Sequence, residues 1–302
     1  MNPSRLFLFL GALLISPGIA ATSGSAGSRV LIIVGPSNHP PGTHEVAASG
    51  RLLEHCLENM TNVSGVTADV VYEWPAPALR EAATTVVLVG DTFPAMRLPN
   101  SAQNLAELGE MMARGCGIVT IHYSTGLQAG DVDEKGEHPL LHWTGGYFAT
   151  RNRHHQSVAK VFPAATISPA TPDHPVARGW REITLGDEPY YNNFFGGPGN
   201  APRPGAVAFA TSMLPPEAPR REIVAWGIER RDGGRGFAIV MPHFYRNWTH
   251  EDLRRFILNG IVWTAKREVP SEGVRTRPPD LAAFKPESIE PKPREKAKGA
   301  KK

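Results

Sequence analysis

Cysteine is nearly absent: Cys56 and Cys116 are the only two in 302 residues. Two thiols do not scaffold a chain of this length, and with no Cys-Cys pair at ligand spacing a thiolate zinc site is excluded. Both lie in apolar stretches and read as small buried hydrophobes. No apolar run reaches the roughly twenty residues of a membrane-spanning helix. The run from Leu6 to Ile15 has ten. Neither sign of charge dominates, with 32 Lys+Arg against 29 Asp+Glu and a net charge of +3. Lys266 to Lys302 holds 11 basic and 6 acidic residues, and Arg5 adds one more positive charge, which leaves residues 21–265 at −3. A nucleic-acid surface is therefore not expected of the body. Internal repeats are absent. With 41% hydrophobic residues the chain is rich enough to bury a core. Glycine (30) and proline (28) are abundant, which predicts many or long loops.

The first twenty residues have the pattern of a signal peptide. Arg5 precedes the apolar run, Pro17 and Gly18 break it, and Gly18 and Ala20 are small residues at −3 and −1 of a cleavage site before Ala21. Export to the periplasm or the extracellular space follows, with no stable membrane insertion after cleavage. A single folded domain is expected over residues 28–268. Residues 269–302, which end in a Lys- and Pro-rich stretch, are expected to be a disordered basic tail.

Within the body, apolar runs and helical periodicities alternate. Arg29–Gly35, Val66–Tyr72, Thr85–Gly90 and Gly117–Ile121 read as strands, the first as one buried on both faces. Glu45–Met60 and Ser101–Arg114 read as helices, the second after a Ser cap. This β-α-β-β-α-β order predicts an α/β fold with a doubly wound parallel sheet. Residues 127–205 carry few periodic runs and read as a loop-rich insertion. Order returns with strands at Gly205–Thr211, Glu222–Glu229 and Gly236–Met241, and a terminal helix over Glu251–Ala265.

Ligands of open α/β sheets bind beyond the carboxyl ends of the strands. Three such ends carry histidine here: His39 and His44 after the first strand, His122 after the fourth, His243 with Trp248 after the last. Around His122 the spacing fits a nucleophile elbow loosely, with His122 or Ser124 at its centre and neither register with both glycines. Histidine there suits proton transfer or metal ligation. In the insertion, Asp187-Glu188 followed by Tyr190-Tyr191-Asn192-Asn193 combines the acceptors, donors and rings that a sugar site uses. His154-His155 is a candidate for binding an anion or a sugar. His138 and His142 are four apart, but Pro139 and Gly145-Gly146 argue against a helix, so both read as surface residues. Asp173-His174-Pro175 reads as a turn in which Asp173 caps its own backbone.

Several motifs in order resemble the ThuA-like (trehalose-utilisation) domain family. They are Gly35-Pro-Ser-Asn-His-Pro-Pro-Gly-Thr-His44-Glu45, Gly115-Cys-Gly-Ile-Val-Thr-Ile-His122-Tyr, Trp143-Thr-Gly-Gly-Tyr-Phe148, Pro172-Asp-His-Pro175, Asp187-Glu-Pro-Tyr-Tyr191 and Asp232-Gly-Gly-Arg-Gly236. The resemblance covers residues 29–268 and is to the forms with a signal peptide. It implies a flavodoxin-like α/β fold related to class I glutamine amidotransferases. Those enzymes have Cys at the elbow where this chain has His122, and Thr120 replaces the glycine two residues before it. The family is linked to disaccharide catabolism, including sugars oxidised at one ring carbon.

The resulting expectation is an enzyme acting on a small carbohydrate, as a keto-sugar isomerase, lyase or hydrolase. His122, His243 and Glu188 share the roles of base, acid and stabiliser or ligand, in no fixed order, and a divalent metal is compatible with them. His39, His44, Ser124, Asp187, Tyr190, Trp248 and His155 are expected to bind substrate. The competing readings are a carbohydrate-binding protein without chemistry and an amidase using Ser124.

Overall fold

The computed structural model describes residues 27–293. The expected signal segment, 1–20, lies outside them. The first half forms as its apolar runs dictate: β1 (Ser28–Val34), α1 (Val46–Glu58), β2 (Val66–Val71), α2 (Pro77–Ala82), β3 (Thr85–Val89), α3 (Ser101–Ala113) and β4 (Gly117–Ile121). Helix α2, between β2 and β3, was not expected. It buries none of its six residues and so carries no apolar stripe to betray it. Ser101 is the first helical residue of α3 rather than its cap; Asn100, at φ 64°, holds the cap position.

The insertion is more ordered than its composition implies. It supplies β5 (Gly126–Gln128), α4 (Pro139–Thr144) and β6 (Phe148–Thr150), with β5 and β6 paired as a small parallel sheet. It also gives β7 (Phe162–Pro169) and β8 (Ile183–Asp187) to the main sheet. β7 escapes a sequence reading because it starts and ends around prolines and alternates irregularly. The chain continues through β9 (Ala206–Leu214), β10 (Arg220–Glu229), β11 (Arg235–Ile239) and α5 (Glu251–Thr264).

The main sheet has the order β2-β1-β3-β4-β11-β10-β9-β7-β8. Its first five strands are parallel in the 2-1-3-4-5 order of flavodoxin-like folds, with β11 in fifth place. The other four continue antiparallel from β11, so the sheet is mixed. β1 shows why both faces are covered. Val30, Ile32 and Val34 enter a core with α1 and α5, while Leu31 and Ile33 enter another with α3 and α4. The sheet is doubly wound.

Residues 269–293 correct the expectation of a tail that is disordered from residue 269. Val269, Val274 and Leu281 are buried, Met60 pairs with Thr276, and Lys292 donates its backbone N–H to Pro41 at 2.9 Å. The apolar residues are few but land singly on the core, which a composition count misses. Residues 294–302 lie outside the described residues. Among the described residues no helix is long and apolar enough to cross a membrane.

Candidate metal centre

β1, β3, β4 and β11 run parallel, so the chain that follows each emerges at one edge of the sheet. β8 runs the same way, because four successive antiparallel pairings separate it from β11. Although three strands stand between them, Asp187 at the end of β8 accepts the His243 backbone N–H at 2.7 Å. The antiparallel half therefore curls back over this edge and delivers Glu188 to the histidines.

The imidazoles meet there. His122 Nε2 lies 3.0 Å from His44 Nε2 and 3.2 Å from His243 Nδ1, and the last two are 3.1 Å apart. Glu188 Oε2 lies 3.3 Å from His243 Nδ1 and 3.9 Å from His122 Nε2. The three histidines are buried. Burial lowers the pKa of His44 and drives that of His122 well down, with neighbouring imidazoles adding to the effect on His122. Burial likewise pushes His243 down to about 3. All three rings are therefore neutral near pH 7.

Their outer hydrogen bonds settle which nitrogens bear protons. His122 Nδ1 donates to the Val240 carbonyl at 3.0 Å, and His44 Nδ1 donates to Asp91 Oδ1. The Nε2 atoms of both rings are thus lone pairs facing each other. A hydrogen on His243 Nδ1 can serve only one of its three neighbours, and the Tyr190 hydroxyl, 3.0 Å from His122 Nε2, serves another. A cation would satisfy all of them at once. Nitrogen ligands about 2.0–2.1 Å from a tetrahedral ion stand roughly 3.3 Å apart, close to the separations found. Three neutral imidazoles and a carboxylate form a donor set suited to zinc and neighbouring transition metals.

The surrounding groups hold this set. His122 takes φ 50°, a left-handed conformation uncommon outside glycine, and so turns sharply out of β4 as an elbow does. Ser124 pins that turn: its hydroxyl accepts the Ile121 N–H at 2.7 Å and lies within donating distance of the Leu88 carbonyl at 2.7 Å. The partners of its hydroxyl are all backbone groups, of Ile121 and Leu88. Asp187 is buried and accepts from the backbone N–H groups of His243 and Glu188 and from Asn247 Nδ2. Burial pushes its carboxyl up to about 6, against the pull of those bonds. Its bonds tie the end of β8 to the loop after β11 and so orient the cluster. Glu188 is raised to about 7 by burial and by Asp187, with His39 pulling it down.

His39 packs flat on His44, with ring centroids 3.5 Å apart, and its Nδ1 lies 2.7 Å from Asp91 Oδ2. Its side chain is 27% exposed, against 2%, 5% and 8% for His44, His122 and His243, so it is the ring of this group that faces solvent. Tyr190 stacks on His122, and Trp248 lines the wall behind His44 and His122. Asp91 is the residue the sequence reading missed. Its signal was the one used elsewhere, a polar residue directly after a buried strand, Gly90-Asp91 following β3. Burial opposes its charge, but two imidazoles and the Asn38 N–H hold its carboxyl well below the usual range.

Other sequence candidates fall elsewhere. His155 donates to or accepts nothing in the cluster; its Nε2 lies 2.6 Å from the Asn192 carbonyl and its ring packs on Phe194. His138 is buried and caps α4, its Nδ1 accepting the Leu140 N–H at 3.0 Å, while His142 stays exposed beside Glu137. The short helix forms despite Pro139, because proline is tolerated in a first turn. At the 173–175 turn it is His174, not Asp173, that accepts the backbone N–H, from Val176 at 3.2 Å.

These features define a flavodoxin-like α/β protein with a histidine-rich centre at the carboxyl edge of its sheet. Its fold is that of a ThuA-like protein from Bacteroides uniformis, with a TM-score of 0.57 at 12% identity over 83% of this chain and 97% of that one. A glutamine amidotransferase of Thermotoga maritima (TM-score 0.39, 9% identity, 79% and 82% covered) and a carbohydrate deacetylase (TM-score 0.46, 12% identity, 79% and 32% covered) are more distant matches. No family model and no curated protein sequence matches the chain.

Proposed function

We propose that His44, His122, His243 and Glu188 bind a divalent cation, and that the protein is an exported, metal-dependent enzyme acting on a small carbohydrate. The observation that carries this reading is the pair of pinned imidazole lone pairs 3.0 Å apart, with a third ring and a carboxylate closing on them. The carbohydrate is supported by the ThuA-like motifs of the sequence and the ThuA-like fold.

A cation held here would polarise a sugar carbonyl or hydroxyl. The chain supplies the rest. Asp91 fixes the Nδ1–H of His39, which leaves the His39 Nε2 free to take or return a proton on the solvent side. Tyr190 supplies a hydroxyl beside His122, whose proton burial retains well above the ordinary pKa. Such a site fits proton abstraction next to a carbonyl, as in a keto-sugar isomerase or lyase, and also metal-assisted hydrolysis. The amidase reading loses its support, because Ser124 is committed to the elbow backbone.

The test is metal content and activity together. Purified protein should hold about one equivalent of zinc or a related metal, and should convert a disaccharide or its 3-keto form only in the absence of chelator. Protein that takes up no divalent metal overturns the reading.

A further inference from the structure

His44 and His243 reach the centre from two separate loops, so something must fix the distance between those loops. The segment from Phe284 to Lys292 crosses both. Glu45, next to His44, accepts backbone N–H bonds from Glu287 at 2.8 Å and Ser288 at 3.0 Å in this segment, and from Gly42 at 2.7 Å in its own loop. Lys292 donates to the Pro41 carbonyl at 2.9 Å. Gly42 has φ +81°, and a Cβ there would lie 2.1 Å from the Glu290 carbonyl oxygen. The segment thus lies directly on the loop backbone, at a contact only glycine allows.

The second loop is tied to the same segment and to the first. Arg246 pairs with Glu290 at 2.7 Å, and just ahead of the segment the Tyr245 hydroxyl donates to the Leu281 carbonyl at 3.3 Å. The Tyr245 N–H donates to the Gly42 carbonyl at 3.1 Å. The Arg246–Glu290 pair is exposed and contributes little. The Glu45 bonds are charge-assisted, and the two that run to Glu287 and Ser288 carry most of the tie.

We propose that the 284–292 strap, clamped by Glu45, is a positioning element that holds His44 and His243 at ligating separation, so that docking of the strap and binding of the cation are coupled. This rests on the metal reading above. Coupling of this kind is reciprocal: if the docked strap tightens cation binding, the cation must tighten the strap by the same factor. The C-terminal segment then becomes a means of control, since whatever lifts it weakens the centre.

The experiment titrates Zn²⁺ into three proteins: the full chain, Glu45→Gln, and a chain ending after Phe284, which keeps the buried Leu281. Glutamine has one acceptor oxygen for three N–H donors. Both variants should bind Zn²⁺ about tenfold or more weakly, the scale expected for losing an outer support of a ligand. Their Co²⁺ forms should show an altered visible spectrum, which a general loss of stability would not produce. In the full chain, Zn²⁺ should slow amide hydrogen exchange across residues 284–292. Unchanged Zn²⁺ affinity in both variants, with exchange in the strap indifferent to Zn²⁺, overturns the proposal while leaving the metal reading standing. A full chain that binds neither Zn²⁺ nor Co²⁺ removes both. Should the variants fail to fold, the exchange measurement on the full chain decides alone.

Discussion

One carboxylate holds two imidazoles: Asp91 accepts His44 Nδ1 on Oδ1 and His39 Nδ1, at 2.7 Å, on Oδ2. His44 is a ligand of the proposed centre and His39 its solvent-facing neighbour, so a single side chain sets the tautomer of both.

Asp91→Asn is expected to weaken divalent metal binding by about 10–100-fold, the range for losing a carboxylate partner of a ligating histidine. The amide oxygen can accept from one ring, but the amide N–H₂ faces the other ring's donor. Calorimetric titration with Zn²⁺ measures this. Unaltered affinity would show that Val240 and the packing alone orient the cluster.

The parallel half of the fold was legible because strands buried on both faces are written as unbroken apolar runs, as in Thr85–Val89 and Gly117–Ile121. The edge rule then placed His44, His122 and His243 together from sequence alone. Less was visible of what supports them. Asp91 is one acidic residue among many and has no partner nearby in sequence. The Val240 carbonyl has no side-chain signal at all. The curl that brings Glu188 in depends on β7, which carries prolines near its start and at its end and alternates irregularly, and on β8, which is only five residues long. The 269–293 segment was hidden for a related reason: its buried apolar residues, such as Leu281, are isolated in the sequence, and the clamp at Glu45 reaches across more than two hundred residues.

Ser124→Ala should leave metal stoichiometry intact and lower stability by about 1–3 kcal/mol, the cost of leaving the Ile121 N–H without its acceptor. Chemical denaturation and metal analysis of the same preparation check both halves. A folded, fully metallated variant that has lost a confirmed activity would return Ser124 to the chemistry.

Leu281→Ala should destabilise the fold by about 2–5 kcal/mol, as for other buried leucines. Deleting residues 278–302 should cost at least as much, since it removes Leu281 together with the strap contacts. Urea midpoints measure this. A deletion that melts like the full chain would mean that the segment does not dock in solution.

Metal affinity should depend on pH with the slope of one proton. Burial lowers His44 below its ordinary pKa, holds His122 well below it and pushes His243 down to about 3, so neither of the last two carries a proton to displace between about pH 5 and 7. Glu188, raised to about 7 by burial, does. Affinity should therefore fall about tenfold per pH unit below about 7 and flatten above it. Three solvated imidazoles with their ordinary pKa of about 6.5 would instead give a slope near three at low pH. Stability of the metal-free fold carries the two signs separately. The raised Glu188 contributes stability at low pH that is lost as pH rises through about 7. The depressed histidines contribute stability above about 6.5 that is lost on acidification toward their folded values. Adding Zn²⁺ should accordingly raise the melting temperature most above about pH 7, where ionised Glu188 is otherwise a buried charge. Titrations of Zn²⁺ across pH 5 to 8 that released three protons per ion would place the imidazoles in water and remove the buried centre described here.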